Sequence, residues 1–293
     1  MALVAGMFVG CGGSGGSAPD AAQPAAADSG DGRASLCVNL GSPALCTSQP
    51  ALTPAPDLSG TWVLETIGAQ TVKVPAYANP FHLKSIGVIL VQVTQTGNDV
   101  ALDGHYCDRI QQDDPNNPAK VIVIDAWRLT PFPVQRSGTF APDNSGQWTL
   151  TLPTFIEVAG AALTDPACDP LPTDASDLVH LVDSDNDGFP GISVGLSGLI
   201  TGTLRSVQRQ ATALHGLAVA ADRIEGGMSF QSDQTIIASE PAALKSLYAS
   251  STATTDPTAC SSTFVMVKVP DVTDAGAVDC DWVRNQEAAL LGL

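Results

Sequence analysis

Apolar runs of strand length recur from Leu58 onward, each cut off by a cluster of Gly, Pro, Asn or Asp. TWVLETI, IGVILVQVTQ, DVALDGHY, KVIVIDAWRL, GQWTLTL and LVHLV form the first part of this pattern. ISVGLSGLI, GTLRSVQRQ, ALHGLAVA, RIEGGMSFQ, TIIAS and STFVMVKV continue it. Within RIEGGMSFQ, Ile224, Gly226, Met228 and Phe230 alternate with Glu225, Gly227, Ser229 and Gln231. A period of two predicts one buried and one solvated face, because successive strand side chains point to opposite sides. Turn signals spaced roughly ten to fifteen residues apart predict an all-β domain, an antiparallel meander closed as a barrel or folded as a sandwich. Helix is sparse. SEPAALKSLY offers Ser239 as an N-cap, Pro241 in the first turn, and Leu244, Leu247 and Tyr248 on one stripe. A second short helix is predicted from Asp281 to Leu291, and both should cover an end or edge of the sheet.

Charge narrows the partners. Thirty acidic residues against 13 basic ones give a net charge of −17, which argues against nucleic acid and against electrostatic docking on anionic lipid. No apolar run approaches the length of a membrane-spanning helix. The segment 1–11, MALVAGMFVGC, is an apolar stretch that stops at a cysteine, and GGSGGS follows nearby. It reads as the apolar part of a secretory signal. Residues 12–57, rich in Gly, Ala, Ser, Pro and Asp, are expected to be a disordered spacer. The β domain is placed at 58–270 and a C-terminal tail with the second helix at 271–293.

Phe8-Val9-Gly10-Cys11 resembles the lipobox of bacterial lipoproteins, in which cleavage leaves the cysteine as a lipid-modified first residue. The family usually has Leu where Phe8 stands. No Lys or Arg precedes the apolar run, which implies a translation start further upstream. The resemblance implies lipidation of Cys11, a membrane held by the lipid anchor only, and an outer-membrane lipoprotein facing the periplasm or cell surface. The whole layout is similar to lipoproteins of gliding soil bacteria such as myxobacteria. Beyond Cys11, six cysteines remain: Cys37, Cys46, Cys107, Cys168, Cys260 and Cys280. An even number suits disulfides in an oxidising compartment, with 15 possible connectivities for six cysteines. The sequential set is expected: Cys37–Cys46, Cys107–Cys168 and Cys260–Cys280.

The sharpest local chemistry is VDSDNDGFPG, Val182 to Gly191, with the candidate loop at 183–191. Asp183, Asp185 and Asp187 take positions 1, 3 and 5, Gly188 permits a sharp turn at 6, and Phe189 offers its carbonyl at 7. Two carboxylates about 5 Å apart repel by roughly 3 kcal/mol at an effective dielectric near 20, so three converging ones call for a cation. Calcium, with 6–8 oxygen ligands and no fixed angles, suits them in a structural role. The loop resembles the DxDxDG elements of thrombospondin-type-3 and dockerin-like modules. Val194 stands where an EF-hand has its twelfth-position acid, so further ligands must come from elsewhere.

Gly60-Thr61-Trp62 resembles the GxW signature of lipocalin-like (calycin) barrels, although the matching Thr-Asp-Tyr motif is missing. That resemblance implies a tryptophan closing a barrel floor and a small apolar ligand inside. His82, His105, His180 and His215 are scattered, and Trp127 and Trp148 are expected in core packing. Gly195-Leu196-Ser197-Gly198 approaches a nucleophile elbow, but Leu199 stands where a glycine is needed. No catalytic constellation is assembled, so no enzyme is expected. The leading expectation is a calcium-stabilised, non-enzymatic envelope module that binds an unknown protein or small-molecule partner or serves structure. The alternative is a lipocalin-like binder of a small apolar ligand, and a hydrolase ranks third.

Overall fold

A computed structural model describes residues 37–48, 52, 55–75, 77–115, 117, 119–198, 200–273 and 276–291. The proposed signal segment, Cys11 and most of the expected spacer lie outside the described residues. The strands are β1 (Gly60–Lys73), β2 (Phe81–Thr96), β3 (Asp99–Asp113), β4 (Ala119–Val123), β5 (Pro133–Pro142), β6 (Trp148–Ala159) and β7 (Ile192–Gly198). They continue as β8 (Gly202–Ala220), β9 (Arg223–Glu240), β10 (Thr252–Thr255), β11 (Thr263–Lys268), β12 (Val272–Thr273) and β13 (Gly276–Ala277). Among the described residues three helices accompany them: α1 (Asp125–Arg128), α2 (Ala243–Tyr248) and α3 (Cys280–Leu291). Among the described residues no helix is long and apolar enough to cross a membrane.

The pairing closes on itself. β1, β2, β3, β5, β6, β8, β9 and β11 are hydrogen-bonded antiparallel neighbours in that order, and β11 returns to β1. The result is an all-β meander closed as a ring of 8 strands, not spaced evenly round an axis. At one end the ring has a different wall. β8 leaves β6 and pairs with β7 through Gly202–Ser206, and β7 pairs with β4. Val121 N in β4 then donates to Asp113 Oδ2 at the end of β3 (3.1 Å), while β10 extends the wall beside β1.

The other end is packed solid. Trp62, Leu64, Ile89, Val91, Leu102 and Phe140 belong to one buried apolar cluster that fills the interior. Trp62 is fully buried and donates its Nε1–H to Leu58 O at 2.6 Å, so burying its ring leaves no polar atom unpaired. On the outside, α3 lays Val283 and Leu291 against Val63, Val88 and Leu90. In β9 Ile224, Gly226, Met228 and Phe230 are all buried as the alternation predicts, but Gly227, expected on the solvated face, is buried too, where Ala44 and Cys46 lie against it.

Several expectations are corrected. GTLRSVQRQ and ALHGLAVA form one continuous strand, β8, and KVIVIDAWRL divides into β4 and α1. LVHLV is not a strand. Leu178 and Val179 are exposed, because Asp174 Oδ1 accepts Ser176 N and Asp177 Oδ1 accepts His180 N, which coils the backbone. Ser239 is not the N-cap of α2; that position is Ala242, and Ser239 Oγ instead accepts Lys245 N at 2.7 Å.

All six cysteines pair, but not in sequence: the bonds are Cys37–Cys168, Cys46–Cys260 and Cys107–Cys280. Residues 37–48, expected within the spacer, form a strap across the outside of the ring. Leu40 N donates to Thr154 Oγ1, Ser229 Oγ donates to Gly41 O, and the His215 ring hydrogen-bonds Pro43 O. Each end of the strap is fixed by a disulfide to a distant loop, which is why Cys37 and Cys46 do not bond each other.

Beneath α3 lies a buried acid. Glu65 is 2% exposed, its Oε2 has no partner, and burial first and the Glu287 charge second raise its carboxyl above the ordinary value. Glu287 is raised in the same sense by burial and by Asp108. A raised folded-state value means the folded chain binds more protons than the unfolded one, so stability rises as pH falls through it. We expect Glu65→Gln to gain about 1 kcal/mol near pH 8 and to lose part of the wild-type gain between about pH 8 and about pH 5. Denaturant melts at the two pH values check this; parallel shifts in both proteins would refute it.

Candidate functional site

Two places carry chemistry. The first is the acidic loop between β6 and β7. Backbone bonds fold it back on itself: Ser184 N donates to Gly191 O, and Gly191 N to Val182 O. Gly191 has φ +99°, and a Cβ there would stand 2.8 Å from Ser206 O on β8, so only glycine lets the loop close against the sheet. Asp183, Asp185 and Asp187 each bring one carboxylate oxygen within 4.8 Å of the others. Asp183 accepts Asp187 N and Gly188 N, Asp187 accepts Phe189 N and Ser193 Oγ, and Asp185 Oδ2 accepts Ser193 N at 2.7 Å.

Asp185 differs from its neighbours. It is 3% exposed, and its Oδ1 is buried without a partner. Burial chiefly, with the Asp187 and Asp183 charges behind it, pushes its carboxyl up to about 6 against the opposing Ser193 bond. An orphaned carboxylate oxygen facing two further carboxylates suits a hard divalent cation. Phe189 is held by its N–H to Asp187, and its exposed ring carries the Arg205 guanidinium at 3.6 Å.

The second place is a cavity of about 710 Å³ at the end of the ring where β7, β4 and β10 complete the wall. Its apolar lining includes Val72, Phe81, Leu83, Leu196 and Ile236. Its polar lining includes Gln70, Gln111, Gln208, Gln210 and Gln234. Tyr106, Arg109, Arg136 and Glu157 line it as well. Arg109 lies 4.0 Å from the Tyr106 ring centroid and 4.0 Å from that of Trp127, and donates Nη1 to Trp127 O and Thr130 O. Arg136 donates to Thr212 Oγ1, Thr212 O and Pro153 O. The Tyr106 hydroxyl bonds the Glu157 carboxyl, which burial raises despite the Arg109 charge.

Two bulges bring these groups inside. In β3, Asp108 pairs with Val88 and Tyr106 with Ile89, so Cys107 is the extra residue. Tyr106 and Arg109, three positions apart, therefore both face inward, while Cys107 turns out to meet Cys280 under α3. In β6, Leu152 pairs with Leu214 and Phe155 with Thr212, leaving Pro153 and Thr154 opposite one residue. Proline cannot donate to the ladder, so a bulge is a natural place for it. Beyond it the inward positions become odd-numbered, and Glu157 joins the interior.

None of these four residues stood out in the sequence. The signal was there in part: Val134, Arg136, Gly138 and Phe140 alternate along PVQRSGTFAP, a strand the apolar runs did not reveal. Trp127, expected in core packing, is buried and also lines the cavity, whereas Trp148 packs on Phe140 at the filled end. Among the described residues the only other metal-sized grouping is His105, Cys107 and Cys280, and its cysteines are spent in a disulfide. No family model matches the chain, and neither curated proteins nor solved structures give a match.

Proposed function

We propose that this chain is a non-enzymatic binding module of the bacterial cell envelope that takes a small molecule into the ring and is stabilised by calcium in the acidic loop. The cavity carries the reading, because a volume of about 710 Å³ lies within the range of ligand sites, about 300–1,000 Å³. It also favours the small-molecule alternative over a purely structural module. The buried Trp62 at the filled end is consistent with the lipocalin-like resemblance. The lining is not uniformly apolar, so the ligand is not the simple hydrophobe that the resemblance implies. Tyr106, Glu157 and Arg109 interact with one another and with main chain, an arrangement that suits holding a ligand. Three disulfides favour an oxidising compartment. Lipidation at Cys11 would keep the module in the envelope. Cys11→Ser should release it from the membrane fraction.

A filled cavity tests the binding reading. Ser232 lines it and only accepts a bond from Gln208 Nε2. We expect Ser232→Trp to weaken binding of a neutral environment-sensitive dye such as Nile red by about tenfold or more, roughly 1.4 kcal/mol. Equal dye titrations for the folded variant and the wild type would end the proposal.

A further inference from the structure

We infer that the cavity selects an amphiphile with a single oxyanion head, held at its inner end by Arg109 and Arg136, with the apolar part toward the outer end. The inference rests on the binding reading above and names the ligand class.

Strand register orders the interior by depth. Leu64, Ile89 and Tyr106 are successive partners across β1, β2 and β3, on the surface of the filled core. One step outward come Thr66, Gly87 and Arg109, then Gly68, Ser85 and Gln111. The outermost pair is Val72 with Phe81. Arg136, on the neighbouring β5 beside Leu102, reaches across the interior to Thr212 on β8 and lines the cavity together with Tyr106 and Arg109. On the wall formed by β1, β2 and β3 a charged level therefore rests on the apolar floor, Gln111 and then Gln70 with Leu83 follow, and Val72 with Phe81 lies outermost.

Charge separates this recess from the rest of the molecule. The chain has 30 acidic and 13 basic residues, yet the inner layer holds two guanidiniums against one carboxyl. The remaining charged lining residues are already engaged: Asp233 accepts Arg209 Nε and Nη2, and Lys245 donates to Ile237 O and Thr173 O. Arg109 and Arg136 are each 8% exposed. Arg109 Nη2 and Arg136 Nε are buried without a partner. A buried cation is costly unless paired, and a planar guanidinium suits a carboxylate-like oxyanion. One unbalanced positive charge fits a monoanion better than a dianion. Stacking of Arg109 on Tyr106 and Trp127, and five backbone or hydroxyl acceptors shared by the two guanidiniums, fix both beforehand, which reduces the ordering cost of binding.

The test compares decanoate with 1-decanol by calorimetric titration on the intact chain and on Arg136→Met. The acid is expected to bind the wild type about tenfold or more tighter than the alcohol, with the ratio falling to near one in Arg136→Met. Equal binding of acid and alcohol to the wild type overturns the oxyanion head and leaves the cavity as a binding site. Binding of neither overturns both readings. A ratio that survives in a folded Arg136→Met, confirmed by circular dichroism, also overturns the assignment. Should that variant not fold, the acid-to-alcohol ratio of the wild type decides alone.

Discussion

Replacing Cys46 and Cys260 together by serine is expected to cost the fold about 3–5 kcal/mol. The bond joins residues 214 apart in sequence, and the entropy of closing so long a loop in the unfolded chain is near 5 kcal/mol by the chain-entropy relation. A typical domain's whole stability is about 5–15 kcal/mol, so a loss of that size is a large share of it. The folded state loses something too. Without Cys46 anchored, the strap 37–48 keeps only Cys37–Cys168 and hydrogen bonds such as Leu40 to Thr154 and Ser229 to Gly41. The spans 37–168, 46–260 and 107–280 overlap, so losses at the three bonds do not add, but full reduction should unfold the chain at ambient temperature. Denaturant titration without reductant, comparing midpoints at constant slope, measures the effect. A midpoint within error of the wild type would make the strap dispensable. Peptide mapping of unreduced protein checks the connectivity separately.

Those bonds mark where a sequence stops being legible. An even number of cysteines beyond Cys11 could be read along the chain, but partnership depends on which loops meet around a closed ring. Cys37 and Cys46 are near neighbours in sequence and sit at opposite ends of a strap, a fact contained in long-range pairing alone. The fold class was legible because period-two alternation is local, as in Ile224 to Phe230. The end of the ring completed by β7 and β4 was not, since that depends on β8 exchanging one neighbour for another midway along its length.

The two candidate sites divide in the same way. VDSDNDGFPG is a contiguous motif, and its three aspartates do converge, because the loop backbone itself brings them together. Tyr106, Arg109, Arg136 and Glu157 come from three strands, and two of those strands change parity at a bulge. Simple alternation from Leu102 would put Arg109 on the outer face, and alternation from Leu152 would do the same to Glu157. Pro153 hints at its bulge, but nothing local marks the one at Cys107. A charge on a strand reads as solvated until the register shows it facing in.

Calcium removal should produce the second large effect. With calcium at about one hundred times its dissociation constant, a site that forms only in the folded state adds about 2.7 kcal/mol. For a domain of this size that corresponds to a fall in melting temperature of roughly 5–10 °C on adding chelator. Asp185→Asn is the discriminating variant. It retains an oxygen to accept Ser193 N–H while removing the charge that burial and the two neighbouring carboxylates oppose. In chelator near pH 7 it should melt at or above the wild type, because the folded state no longer holds an unneutralised buried carboxylate. In calcium it should melt below the wild type, having lost a charged ligand. The order of the two proteins is thus expected to invert between the two buffers. A loop that is merely acidic would show no inversion, and identical wild-type melts with and without chelator would remove calcium from the account. The inversion would also tie stability to the loop's position, since Gly191 packs it against Ser206 on β8, the strand that carries both ends of the ring.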